Sequence, residues 1–402
     1  MTGSTDSPPL QFGSSFRSAL PSLLFLSSIF FLTFTARVII SPLMPMIEKE
    51  SGISHSAEGS LFFIIILGYV VSILFSPNLS SRIGNRHTIV LSGLLTGLGL
   101  FLFSLCHSLP AFLAASLFTG LASGLYLPAA MVTITELSPA AWLTRGMSIH
   151  ELAPNFGFVL APLITSLFGI LTGWRLGLQA LGVLIILWNL VYLKRGCNAK
   201  RKQPPVSLQV VRYFFTSPLF WRITIMLSFA SSATMGIYSM LPLLLVNEHG
   251  MSVDRANSLV ALSRIASIIM PLVGGWLGDR FGNGRVMAGV LLLAGLLTVP
   301  IGICSGGVLL VFIFVQPLIS VSFFPSCFAR YARLGEGRFR GMGISLGTPI
   351  GFLMGAGCMP VLIGTVGDYA GLKAGFTVAG VLIIMAALLA GSSRTFLQRE
   401  EK

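Results

Sequence analysis

Gly275-Trp276-Leu277-Gly278-Asp279-Arg280-Phe281-Gly282-Asn283 is the stretch that decides how this chain folds, because it has an echo. Leu79-Ser80-Ser81-Arg82-Ile83-Gly84-Asn85 runs in parallel with its second part, 198 residues earlier. Other landmarks keep nearly that spacing. Arg145-Gly146-Met147 followed by Pro154 returns as Arg340-Gly341-Met342 followed by Pro349, 195 residues on, and Pro128 answers Pro325 at 197. A period this long is too large for a solenoid and describes a duplicated half.

What the halves are made of follows from composition. Of the 402 residues, 54% are hydrophobic and only 10% charged, with a mean hydropathy of +0.87. A soluble domain carries roughly 25% charged residues, so the solvent expected here is lipid. Apolar runs of about twenty residues fit a hydrocarbon layer of ~30 Å at the helical rise of ~1.5 Å per residue. Twelve such runs are predicted, near 20–46, 57–78, 87–106, 110–135, 146–170, 176–193, 220–246, 256–278, 286–304, 308–329, 342–365 and 374–393. The fold expected is an all-α membrane protein, twelve transmembrane helices forming two pseudosymmetric six-helix bundles around a central cavity.

The predicted organisation is a tail over 1–19, a first bundle over 20–193, a linker over 194–219, a second bundle over 220–396 and a tail over 397–402. The tail before the first run has no basic segment, so no cleavable signal is expected there. Of the 26 basic residues, twenty fall on the side of the termini and central linker, four (Lys49, Arg175, Arg255, Lys373) on the other, and two inside runs. That asymmetry places both termini in the cytoplasm of a bacterial-type inner or plasma membrane. The net charge of +13 is therefore attributed to topology rather than to nucleic acid. The five cysteines show no metal-binding spacing, and no metal or cofactor is expected.

Gly275, Trp276, Gly278, Asp279, Arg280 and Gly282, between the eighth and ninth runs, resemble the loop signature of the major facilitator superfamily. The Arg-Gly starts at Arg145 and Arg340 and the triplet Gly173-Trp174-Arg175 are similar to family practice, and the likeness runs from about Leu20 to Phe396. The first half departs from the signature, with Ser81 in place of the acid and Pro77 in place of the leading glycine. The resemblance implies a gate on the cytoplasmic side built from Gly275, Asp279, Arg280, Gly282, Ser81, Arg82 and Gly84. Asp279 would lie near Gly146 and Ser81 near Gly341, giving an electrostatically lopsided latch. Arg82 has the alternative role of anchoring to lipid headgroups, and Glu136 is expected to clamp Arg145 across a short loop.

Two basic residues lie within runs. A charge at mid-bilayer costs at least ~2.5–3.5 kcal/mol, so each should face a partner or an aqueous space. Arg37 precedes Pro45 by eight residues, an arrangement that resembles superfamily members transporting organic anions and phosphate esters, although Ala36 replaces an aspartate found in many carboxylate carriers. Arg264, ten residues past Asp254, falls at a similar depth, and the two guanidiniums could form a fork for a carboxylate or phosphate. Snorkelling of Arg37, or pairing of Arg264 with Asp254 or Glu248, are the alternatives. Tyr238, Asn155, Tyr126 and Gln316 are the polar residues placed to line the same site, or to bond helices together. Glu151 is a candidate proton carrier and His150 a relay, with structural pairing of Glu151 as the alternative.

No phosphate-binding loop or catalytic constellation is present, so no enzyme activity is expected. The function expected is secondary active transport of a small organic anion, coupled to H+, by a monomer in the lipid bilayer, with no nucleic-acid partner. The alternatives are proton-coupled drug or metabolite efflux with structural arginines, and a non-transporting membrane receptor.

Overall fold

The computed structural model describes residues 16–137, 143–171, 173–197, 208–334 and 343–391. Among these residues all regular structure is helical. Eleven helices are long and apolar enough to cross a membrane, and twelve when the pair Val253–Ile268 and Met270–Gly278, bent by 41°, counts as one span. Each predicted run overlaps one of these helices; the third and ninth runs overshoot their helices at 105–106 and 304, and residues 342, 392 and 393 lie outside the described residues. Span one is Phe16–Val38 continued by Ile40–Ser51, span two His55–Ile83, and span five Leu143–Leu171. Span seven is Pro218–Ser231, a π-turn at Ser232–Gly236, and Ile237–Asn247. Span eleven repeats that pattern, with a π-turn at Leu353–Gly357.

The duplicated stretch explains itself in backbone terms. Gly84 joins spans two and three at φ 86°, and Gly282 joins spans eight and nine at φ 88°. Both conformations exclude a side chain at little strain, so each copy needs glycine where the chain reverses. Asn85 and Asn283, which open the next helices, are both buried. The structure corrects one expectation here. Ser81-Arg82 and Asp279-Arg280 are not loop residues but the last turns of their helices, and a single glycine makes the connection. Ser81 Oγ donates back to the Asn78 carbonyl at 2.7 Å instead of capping a neighbouring helix.

The triplet Gly173-Trp174-Arg175 has an equally local use. Gly173 reverses the chain at φ 79°, and the two residues after it hold the end of span one. Trp174 Nε1 donates to Glu50 at 2.9 Å, and Arg175 Nη2 lies 2.7 Å from the other Glu50 oxygen.

Core packing differs between the two faces of the molecule. At the face carrying the 52–54 turn, one apolar core contains Ile40, Met44 and Leu61 together with Leu243, Met359 and Phe376 from the second half. At the face where span six ends and span seven begins, each half has its own core: Leu26, Tyr126 and Tyr192 in the first, Phe220, Phe323 and Tyr331 in the second. The halves are fused at the turn face and packed separately at the linker face. Close approach needs glycine at the fused end, where a Cβ on Gly59 would stand 2.3 Å from the Pro360 carbonyl oxygen.

Candidate substrate site between the two halves

Span one breaks at Ile39, between its two helical segments, and Arg37 sits on the last turn before that break. Ser41, one turn further on, crosses to the other half: its hydroxyl donates to the Ser239 carbonyl at 2.9 Å. Asn257 of span eight donates to the Pro42 carbonyl at 3.2 Å. The break in span one is thus stitched to spans seven and eight, which brings Arg37 to the seam.

The Arg37 guanidinium carbon lies 3.8 Å from the Tyr69 ring centroid and 5.0 Å from that of Phe34. The Phe34 ring is 5.0 Å from Phe158, and Phe158 is 4.8 Å from Tyr238. Arg264 closes the series, its guanidinium carbon 5.1 Å from Phe158 and 4.8 Å from Tyr238. Two cations, one from each half, therefore flank a bridge of aromatic faces. Tyr238 also donates its hydroxyl to the Phe158 carbonyl at 3.0 Å, a direct bond between the halves.

Both arginines are buried, Arg37 at 9% and Arg264 at 4% exposure. Arg264 Nη2 donates to the Thr234 carbonyl at 2.6 Å. Thr234 lies within the π-turn of span seven. Arg37 Nε has no hydrogen-bond acceptor. Among the described residues, neither guanidinium has an acidic side chain within ion-pair distance. Glu248, offered by the sequence as a partner for Arg264, instead accepts from the Leu372 backbone at 2.8 Å. Ring faces contribute about 0.5–2 kcal/mol each toward holding a cation. They do not cancel its charge, and a buried charge left unpaired is costly.

The remaining predicted residues fall in several places. Gln316 is buried inside the second half, donating to the Ala233 carbonyl at 2.8 Å, again a π-turn acceptor. Tyr126 donates to the Leu26 carbonyl at 2.7 Å and lies 3.1 Å from His150 Nε2. Since the single tyrosine hydrogen goes to Leu26, His150 must donate through Nε2. The His150 ring is fully buried and stacks on Phe30 at 4.3 Å. Asn155 is half-buried, one helical turn before Phe158. At the linker face Arg82 is exposed, and Arg280 is exposed beside Trp276 and Phe281. Glu136 is half-buried at the end of span four. The side chains of Glu151, Asp279 and Arg145, and all of Gly341 and Arg340, lie outside the described residues. Sequence reasoning missed Phe34 and Phe158. The available signal was their helical spacing of three from Arg37 and Asn155, which puts each ring on its neighbour's face.

A family model described as Major Facilitator Superfamily matches residues 26–256 and 235–400. The chain belongs to this superfamily. It is accordingly a multi-pass membrane protein with the fold of that superfamily. Among curated superfamily proteins, it is 24% identical over 218 residues to the quinolone resistance protein NorA of Staphylococcus aureus strain Mu50 / ATCC 700699, a match covering 52% of this chain and 55% of that protein. The match thus spans only about half of NorA. It is 22% identical over 289 residues to the probable sulfoacetate transporter SauU of Cupriavidus necator strain H16, covering 66% of this chain and 67% of that protein. Among solved structures, a bacterial homologue of the human lysosomal transporter Spinster, inward-facing and occupied, superposes with a TM-score of 0.78 at 19% identity, covering 96% of this chain and 99% of that one. A D-xylose–proton symporter follows with a TM-score of 0.76 at 16% identity, covering 94% and 98%. At these identities the structures establish the superfamily fold and nothing about substrate.

Proposed function

We propose that this protein is a secondary carrier of a small organic anion, coupled to protons and working by alternating access. The observation that carries this reading is the pair Arg37 and Arg264, buried, contributed by opposite halves, joined through Phe34, Phe158 and Tyr238, and lacking carboxylate partners among the described residues. An anion placed between them would supply the missing countercharge and would bind both halves at once. The likeness to a probable sulfoacetate transporter supports the same chemistry.

In this reading Tyr238 and Asn155 help line the site, with Tyr126 and Gln316 holding the helices around it. Glu151 carries the proton, and His150 relays it or reports on it. Fusion of the halves at the turn face and their separate cores at the linker face correspond to a state open toward the cytoplasm. Gly275, Asp279, Arg280, Gly282, Ser81, Arg82, Gly84, Glu136, Arg145 and Arg340 would then form the latch that closes when the carrier turns over. The carrier acts as a monomer in a plasma membrane, with both termini cytoplasmic, bundles over 20–193 and 220–396, and a linker over 194–219.

A second reading rests on the aromatic bridge itself. Four rings, Phe34, Tyr69, Phe158 and Tyr238, present faces suited to a flat apolar compound, and the chain is similar to a quinolone resistance protein. Uptake by proteoliposomes of labelled carboxylates and sulfonates, with and without an imposed pH gradient, separates the two. Gradient-driven anion uptake that disappears in Arg37→Ala supports the anion carrier. Export of aromatic dyes, untouched by Arg37→Ala, would replace it with the efflux reading.

A further inference from the structure

Glu48, His55 and Glu58 converge at the turn face, away from the arginine pair. Glu48 stands on the last turns of span one, Gly52 reverses the chain in the left-handed region at φ 62°, and His55 and Glu58 open span two. His55 Nδ1 is 3.4 Å from a Glu48 oxygen and 3.7 Å from a Glu58 oxygen. One donor atom from each of the three residues lies within 4.8 Å of the others.

Glu58 is the decisive member. Its side chain is fully buried, at 0% exposure, and neither carboxylate oxygen has a hydrogen-bond donor. His55 Nδ1 likewise has no hydrogen-bond partner. Two carboxylates facing one imidazole nitrogen, one of them without water, call for protons on Glu58 and His55 or for a cation between the three groups. Protons alone leave the Glu58 oxygens and His55 Nδ1 as they stand, without hydrogen-bond partners, whereas a divalent cation offsets the charge and engages an atom of each residue.

The geometry points to a divalent transition-metal site, of the zinc class, formed by Glu48, His55 and Glu58. A tetrahedral zinc with bonds of about 2.0–2.2 Å sets its ligand atoms roughly 3.4 Å apart, close to the two distances from His55. Imidazole nitrogen and carboxylate oxygen are both zinc ligands, and three protein ligands leave a fourth position for water. Borderline nitrogen chemistry disfavours magnesium and calcium, which take oxygen. The supporting shell is also in place. The second Glu48 oxygen accepts from Asn247 Nδ2 at 2.6 Å, which fixes the carboxylate's orientation. The start of span two is fixed by Asp368, whose two oxygens accept from the His55 and Ser56 backbone at 2.8 and 3.1 Å. Asn247 and Asp368 both belong to the second half, so the cation would stiffen the lip of the first half on which the second one docks.

The test is isothermal titration of zinc chloride into the untagged, full-length protein, stripped with EDTA and held in detergent at neutral pH. One saturable site is expected, with magnesium chloride giving none at the same concentration. Glu58→Gln and His55→Gln should each weaken zinc binding by about a hundredfold or more, since even outer-shell changes cost 10–100-fold. Glu50→Gln, near the same face but outside the cluster, should leave it unchanged. Zinc should also raise the melting temperature of the native protein and not that of Glu58→Gln, because only bound ligand stabilises by mass action. His55→Gln, at a partly exposed position, keeps the test open if the Glu58 variant fails to fold. Absence of a saturable zinc site, or a site undiminished in both variants, would overturn the assignment.

Discussion

Arg264 has one nitrogen anchored on the Thr234 carbonyl, whereas Arg37 is held by ring faces, so the two should respond differently to truncation. Removing Arg264 leaves a buried carbonyl without its donor, which costs about 1–3 kcal/mol. Removing Arg37 strands no buried backbone carbonyl of this kind and relieves a buried charge that has no carboxylate partner among the described residues. Arg264→Ala is therefore expected to lower the melting temperature, and Arg37→Ala to leave it equal or raised, while both abolish anion uptake. Equal destabilisation by the two variants would show that Arg37 serves a structural bond. Arg37→Lys separates charge from shape. A lysine keeps the cation but loses the planar stack on Tyr69, and a loss of about 1–2 kcal/mol of cation–π contact corresponds to roughly a tenfold weaker apparent affinity for the anion. Anion affinity measured by concentration-dependent uptake checks this. The position of Arg37 was legible from the cost of burying charge alone. Of its ring partners, Phe34 was within reach of helical spacing, but Tyr69 was not, because it arrives from another span and nothing in a single sequence states which helix faces meet. The Glu48, His55 and Glu58 cluster was hidden for a related reason: its members straddle a turn, so no fixed motif spacing records them.

At the scale of elements, what the sequence made legible were the features repeated in it. The twelve apolar runs correspond to eleven single spans and one bent pair, and the duplicated glycines Gly84 and Gly282 to matching chain reversals. The π-turns of spans seven and eleven were not foreseen, since a π-turn differs from α-helix by one displaced bond and Ser232-Ala233-Thr234-Met235-Gly236 reads as ordinary apolar helix. Yet two of its carbonyls, from Ala233 and Thr234, receive Gln316 and Arg264. The signature was placed in a loop on the strength of its resemblance to the superfamily's loop signature, when a single left-handed glycine makes the connection. Gly84→Ala tests that economy. At φ 86° and ψ 154° an alanine is strained by about 1–3 kcal/mol, although a Cβ there would meet no atom within 4 Å. A reduced melting temperature is expected, and an unchanged one would mean that the backbone relaxes into another conformation. Gly289→Ala, in mid-helix with open space around it, should instead be neutral or slightly stabilising.

At the scale of the whole molecule, a carrier must break one face as it makes the other, and the fused face shows where the break must come. Span two meets span eleven there without side chains between them. A Cβ on Gly364 would stand 2.1 Å from the His55 carbonyl oxygen and 2.6 Å from its carbon. One turn later Asp368 caps the start of span two across the same seam. Gly364→Ala consequently clashes with backbone in the closed arrangement and with nothing once spans two and eleven part. A penalty of about 3 kcal/mol on the closed form alone changes the ratio of states by more than a hundredfold. Asp368→Ala acts on the same equilibrium by removing the cap, worth about 0.5–2 kcal/mol. Spin labels at Ser51→Cys and Lys373→Cys, with the five native cysteines replaced, report the separation of the halves at this face. The distance distribution is expected to gain a longer component in Gly364→Ala and a smaller one in Asp368→Ala, with anion uptake slowed in both. A distribution identical to that of the parent in both variants would mean that the seam is closed by contacts elsewhere, and that the glycine merely accommodates a packing fixed by the shared apolar core.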